Sequence, residues 1–137
     1  MPHWTLPTTI QVPRLTCGAF TACLQRLFQE VTGQHLAVEW HGKPERSTYA
    51  FAQAALAEQQ QLASSAAFDH IFMVGDNPAA DIKGANDAGS PWVSVLVRTG
   101  VFNDPHASND KHNAAQVVVD SIVEAVDKVI ETARLDT

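Results

Sequence analysis

The chain has 137 residues, 45% of them hydrophobic and 18% charged, a balance that excludes a disordered chain and suits a single domain with its own core. A formal net charge of −6 excludes a basic nucleic-acid surface, because such surfaces need clustered Lys and Arg to meet phosphates. No apolar run approaches the length of a membrane span, and Met1-Pro2-His3-Trp4-Thr5 lacks a basic leader. The expected setting is the cytoplasm or an organelle matrix, the mitochondrial one included. Cys17 and Cys23 show no CxxC spacing and the six histidines no HxxxH spacing, which points to reduced structural thiols and away from a zinc site.

Taken in order, residues 1–15 carry Pro2, Pro7 and Pro13 without a sustained period and read as an irregular lead-in. Gly18 to Thr32 reads as an amphipathic helix, with Phe20, Leu24, Leu27, Phe28 and Val31 at helical spacing and Gly33 as its stop. A short strand is expected at Leu36 to Trp40. The turn His41-Gly42-Lys43-Pro44 then leads into an Ala-, Gln- and Leu-rich helix from Ser47 to about Ser64, with Tyr49, Ala52, Leu56 and Ala63 on its buried face. Ile71 to Val74 forms a strand apolar on both faces, as in a parallel sheet. A helix from Pro78 to Ala88, stopped by Gly89, separates it from a second buried strand, Trp92 to Val97. Residues 103–113 form a polar loop, Val117 to Val119 a third strand, and Asp120-Ser121 caps a last helix with Ile122, Val126, Val129, Ile130 and Ala133 along one stripe. Strands alternating with helices predict an α/β fold with a mainly parallel sheet.

The chemistry concentrates where the strand Ile71–Val74 runs into Gly75-Asp76-Asn77-Pro78-Ala79-Ala80-Asp81. Asn77 is a good helix cap and Pro78 suits the first helical position. Asp76 therefore falls at the carboxyl end of a strand, where open α/β sheets bind ligands. Asp81 lies about one turn further, so both carboxylates can face one small volume at a helix N-terminus, a setting for a hard cation such as Mg²⁺ with a phosphate on it. Taken alone, such aspartates are more often caps or solvated charges. Lys43, just past the expected strand end, is a compact cation suited to a phosphoryl oxygen or an aspartate, though a lysine there taken alone is more often a solvated loop residue.

The order strand–GKP–helix, strand–GDNPxxD–helix, strand–RTG resembles the C-terminal half of the haloacid dehalogenase (HAD) superfamily of Mg²⁺-dependent phosphohydrolases, and within it the NagD-like subclass IIA, the cat-eye-syndrome-critical-region type. Pro13-Arg14-Leu15-Thr16-Cys17-Gly18-Ala19-Phe20 is similar to the stretch that follows the cap domain there. The resemblance implies a three-layer α/β/α Rossmannoid core over residues 16–137, with residues 1–15 as a cap-domain tail. It implies that Lys43 neutralises the nucleophile and the transferred phosphoryl group, that Asp76 binds Mg²⁺, and that Asp81 orders the metal shell. Gly42, Asn77, Thr99 and Gly100 would be loop or phosphate contacts. Charge neutralisation and positioning are what phosphoryl transfer needs.

The chain also departs from that pattern. The family's DxD motif, which supplies the nucleophile and the general acid/base, occurs nowhere in these 137 residues, and neither does the cap domain. The expectation is thus half of a phosphatase, inactive alone and acting on a small phosphorylated substrate once completed. The alternative is a non-catalytic remnant serving as a dimerisation or interaction module. Either way the Ile71–Val74 strand would stand at a sheet edge with unpaired backbone groups, open to a second copy. A receiver-like domain would carry its acids and lysine in the reverse order, and a dinucleotide fold would need a GxGxxG that is absent.

Overall fold

The computed structural model describes residues 5–6, 14–61, 68–104 and 106–135. They fall into two compact units, residues 1–39 and 40–137. In the first, β1 (Thr5–Leu6) pairs antiparallel with β2 (Arg14–Leu15). This short ladder lies where an irregular lead-in was expected, because a two-residue strand has no period to reveal it.

α1 spans Cys17–Thr32 and closes at Gly33, whose N–H donates to Gln29 O at 2.8 Å. The periodicity correctly gives the helix but not its burial. Gly18 and Ala19 are buried, whereas Phe20 and Val31 are 71% and 83% exposed and Leu24 and Leu27 are exposed too. A 3.6-residue apolar repeat states which side a helix would bury. It does not supply a surface to bury it against, and the described remainder of this unit is small. The strand expected at 36–40 does not form. Leu36 and Val38 alternate with exposed Ala37 and Glu39 as in a strand, but alternation without a neighbouring ladder leaves only extended chain.

The second unit holds the sheet. α2 (Arg46–Gln59) ends earlier than expected, at Gln60 and the left-handed Gln61 (φ 54°). Tyr49 and Ala57 are buried and Ala52 and Leu56 pack beside them, while Ala63 lies outside the described residues. β3 (Ile71–Gly75), β4 (Trp92–Val97) and β5 (Val117–Val119) pair in parallel in the order β3-β4-β5, with Ile71 opposite Trp92 and Val95 opposite Val117. The expected parallel α/β sheet is therefore present, and among the described residues β3 is its edge.

The two faces of the sheet are covered by different elements. Ile71 and Trp92 pack with Tyr49 of α2 and Ala85 of α3 (Lys83–Ala88). Val95, Val97 and Val119 pack with Ala125 of α4 (Ile122–Leu135), with Phe72, Val74 and Val117 alongside. The result is the expected three-layer α/β/α arrangement. Ser94, fully buried in β4, donates to Asn86 Oδ1 at 2.7 Å and accepts from Gln116 N–H at 3.1 Å, tying α3 to the approach to β5. At α4 the stripe differs from expectation: Ala125 is the buried contact, whereas Ile122, Val126 and Ile130 are exposed and Val129 is half-buried. A small residue lets the helix approach the β-branched sheet closely, which turns the larger side chains outward. Ser121 and Glu124 form the cap, with Glu124 N–H on Ser121 Oγ at 3.3 Å and Asp120 N–H on Glu124 Oε2 at 2.8 Å.

Between β3 and α3 the expected single helix is divided. Pro78–Ile82 is a π-helical turn that passes into α3. Asn77 caps it as anticipated, its Oδ1 accepting from Ala79 N–H at 3.1 Å. The segment is helical from Pro78 to Ala88, but its first turn is wider than an α-turn, a variant often found at functional sites.

Candidate functional site

All the candidate residues lie in the second unit. Gly42 starts the turn before α2 with φ 97°, and its N–H donates to Thr48 Oγ1 at 3.0 Å. That turn carries Lys43 to Asp81: Nζ lies 2.6 Å from Oδ1, with the lysine side chain 48% exposed and the aspartate side chain 5%. Asp81 Oδ1 is buried and has no hydrogen bond of good geometry, so its compensation is the Coulombic attraction of Lys43. Oδ2 accepts from Asn77 N–H at 3.0 Å. Glycine at 75 makes this seat available, since a Cβ there would collide with Cβ, Cγ and Oδ2 of Asp81. The end of β3 and the acid of the π turn thus meet in direct contact.

Asp76 is held from the other side. Its Oδ2 accepts from Val101 N–H at 2.7 Å and its backbone O accepts from Phe102 N–H at 3.0 Å. Gly100 sits against the same carboxylate: a Cβ on it would lie 2.6 Å from Asp76 Cγ and still closer to Oδ2. Arg98 anchors this loop, its guanidinium donating to Ala107 O, to Ser108 O at 3.2 Å and to Asp120 Oδ1 at 3.0 Å. Thr99 is exposed. The geometry therefore brings Lys43, Asp76 and Asp81 to the carboxyl end of β3, with Asn77 between the acids.

As ligands, these groups are hard oxygens suited to Mg²⁺, which takes one or two carboxylates and fills its octahedron with water and phosphate oxygens. Among the described residues Asp76 Oδ1 has no hydrogen-bond partner, whereas both oxygens of Asp81 are engaged. Among the described residues no group of three or more His, Cys, Asp or Glu side chains converges. As a donor set, two carboxylates suit Mg²⁺ in chemistry and leave the rest of an octahedron to other oxygens.

The family model described as HAD-hydrolase-like matches residues 40–125, which include every one of these residues. The chain belongs to the HAD-like hydrolase family. Of its relatives, a cardiolipin synthase (CMP-forming)/mitochondrial hydrolase fusion protein of Schizosaccharomyces pombe is 40% identical over 121 residues, covering 88% of this chain and 20% of that protein. A mitochondrial hydrolase of Saccharomyces cerevisiae is 35% identical over 133 residues, covering 83% of this chain and 37% of that one. The chain thus spans well under half the length of both. A solved structure titled as a possible sugar phosphatase of the HAD superfamily from Cytophaga hutchinsonii is 23% identical with a TM-score of 0.47, covering 96% of this chain and 36% of that one.

In this HAD-like chain the acids were legible from the strand end and the Asn-Pro turn that follow Val74, whereas the lysine was read against a strand that does not form. The supports of these residues were not legible. Gly75 has an ordinary φ and reads as part of the motif, and the Val101 N–H is a backbone group without a sequence signal. Tyr49 reads as a core residue and is one by burial, but its hydroxyl donates to Asp81 O at 2.9 Å. Burial, followed by the charges of Asp81 and Asp87, pushes that hydroxyl up from 10.0 to about 12. The folded chain therefore holds this proton more tightly than the unfolded chain does. The corresponding stability is fully present below pH 10.0 and is lost as the pH rises through about 12. Because Tyr49 is the single tyrosine, phenolate absorbance reads it directly. In the native chain the absorbance is expected to stay low through pH 10.0 and to rise towards about 12 together with unfolding; a native phenolate midpoint at the ordinary value would contradict the buried hydroxyl.

Proposed function

We propose that the chain carries the metal-binding and charge-neutralising half of a Mg²⁺-dependent phosphohydrolase site of the NagD-like HAD type, acting on a small phosphorylated substrate. The observation that carries this reading is the buried Asp81 paired with Lys43 at 2.6 Å beside Asp76 at the end of β3. Asp76 would hold Mg²⁺ through its open oxygen, and the metal would supply neutralising charge for a bound phosphate. Lys43, half-exposed, would reach the phosphoryl oxygens, while Asp81 keeps its ammonium oriented and Asn77 holds Asp81. No residue in this constellation can attack phosphorus, since a DxD nucleophile is absent from the sequence, and catalysis would need that group from elsewhere. The names of the yeast relatives support a hydrolase in mitochondria as its setting. No helix among the described residues is long and apolar enough to cross a membrane.

The test uses Mg²⁺ and a generic aryl phosphate. The chain alone is expected to bind Mg²⁺, seen as amide shifts at Gly75 to Asn77 that Asp76→Asn removes, and to give no turnover. Hydrolysis by the chain alone that Asp76→Asn abolishes would overturn its dependence on an outside nucleophile. Absence of any Mg²⁺ response would overturn the metal assignment.

A second reading, a non-catalytic dimerisation or interaction module, is favoured by the edge position of β3 among the described residues, which offers a template for another strand. Pairing of two β3 edges would join two three-stranded sheets into one. Sedimentation at micromolar concentration distinguishes the two: a concentration-independent monomer removes the dimer.

A further inference from the structure

Tyr49 stands 32 residues before Asp81, yet its hydroxyl is directed at the turn that carries that acid, 2.9 Å from Asp81 O and 3.3 Å from Ala80 O. A hydroxyl has one proton to donate, so the shorter contact is the principal bond and the longer one an alternate acceptor. The turn has a use for such a donor. In the π conformation backbone N–H groups reach further back than in an α-helix, and the Lys83 N–H is shared between Ala80 O and Pro78 O. A buried carbonyl can accept a further bond from outside the turn, and the Tyr49 hydroxyl supplies one to Asp81 O.

The ring is seated by two independent features. Trp92 meets it edge to face with centroids 5.0 Å apart and planes at 82°, and Trp92 is itself held by Gln53 through an indole hydrogen bond of 3.1 Å. On the other side a Cβ at Gly84 would lie 2.5 Å from Tyr49 Cζ and closer to the hydroxyl oxygen. Glycine at the start of α3 therefore admits the phenol to the carbonyls, and a ring filling core volume would not by itself require so close an approach.

We infer that Tyr49 is a positioning residue of the site: its hydroxyl fixes the π turn and thereby sets the Asp81 carboxylate against Lys43 and the Asn77 N–H. This rests on reading Lys43, Asp76 and Asp81 as the phosphate and Mg²⁺ site, and Tyr49 itself touches neither ligand. Phenylalanine keeps the ring and its packing, so the role resides in one oxygen.

The experiment compares wild type, Tyr49→Phe and Leu56→Ala by NMR on the isotope-labelled chain, first without metal and then titrated with MgCl₂. Leu56 packs on the same cluster without a hydrogen bond to the turn, and serves as the control for lost stability. In Tyr49→Phe the amides of Ala80 to Ile82 are expected to shift, the Lys43 ammonium signal to be lost through faster exchange, and the Mg²⁺ midpoint to weaken by about tenfold, as for other supports of metal ligands. Leu56→Ala is expected to melt earlier with all three readouts unchanged. Wild-type shifts and midpoint in Tyr49→Phe overturn the inference, as does an equal weakening in Leu56→Ala. If wild type shows no Mg²⁺ response, the metal reading fails on its own. The metal-free spectra then decide for Tyr49: moved turn amides with a lost Lys43 signal support the positioning role, and unmoved ones overturn it.

Discussion

Gly75→Ala is expected to cost about 1–3 kcal/mol of folding stability or more, the range for forcing an added methyl into a packed interior. The added carbon would collide with three atoms of the Asp81 side chain, which is buried and cannot turn outward without leaving Lys43 and the Asn77 N–H. The strand end cannot yield easily either, since Gly75 lies opposite Leu96, a fully buried residue of the central strand. Urea unfolding should show the midpoint falling with the slope unchanged, because the native core keeps its extent. The Lys43 ammonium signal should vanish in the same variant. A wild-type midpoint would mean that the strand end and the π turn are not in contact.

Gly100→Ala is the complementary case, with a large effect on the site and a small one on the fold. The methyl would displace the Asp76 carboxylate from the Val101 N–H at 2.7 Å, but Gly100 and Val101 are exposed and the loop has room to move outward. Stability is expected to change by less than about 1 kcal/mol, as at other surface positions. With Asp76 as the proposed Mg²⁺ ligand, affinity should fall by about 10- to 100-fold, the usual consequence of removing a group that orients a metal ligand. The titration of Gly75 to Asn77 amides measures it against Asp76→Asn, which should lose the response altogether. If Gly100→Ala binds Mg²⁺ like wild type, the loop after β4 has no part in setting Asp76.

These two glycines show where the sequence and the fold divide the information. The acids at 76 and 81 were readable because the strand end, the cap and the Asn-Pro turn have local signals, while the lysine at 43 was placed after a strand that does not form. That a glycine before Asp76 exists for Asp81, and a glycine 24 residues later for Asp76, depends on contacts between segments distant in the chain or turned back on each other. The wide turn at Pro78–Ile82 belongs to the same class. Its residues are compatible with an ordinary helix, and it is the long-range bond from Tyr49 together with the inward carboxylate of Asp81 that accompanies the π form.

Burial was less legible than element type. The repeat along α1 and the stripe Ile122, Val126 and Ile130 along α4 specify helices correctly, yet those side chains are exposed. Periodicity records an apolar side, whereas burial depends on the element that faces it. At α4 the choice went to Ala125, which fits against Val95, Val97 and Val119 where a larger residue would hold the helix away.

By itself, then, the sequence determined an acidic α/β chain with parallel strands, the caps at Asn77 and Ser121, and the residue types on which the proposed phosphate and metal chemistry rests, since each follows from composition or from spacing within one element. The tertiary structure alone decided that Lys43 pairs with Asp81, that Val101 holds Asp76 and that Tyr49 reaches the turn of the site. The physical reason is range. Propensity and periodicity act over a few residues, whereas close approach, buried charge pairing and strand order are set by segments that meet only when the chain has folded.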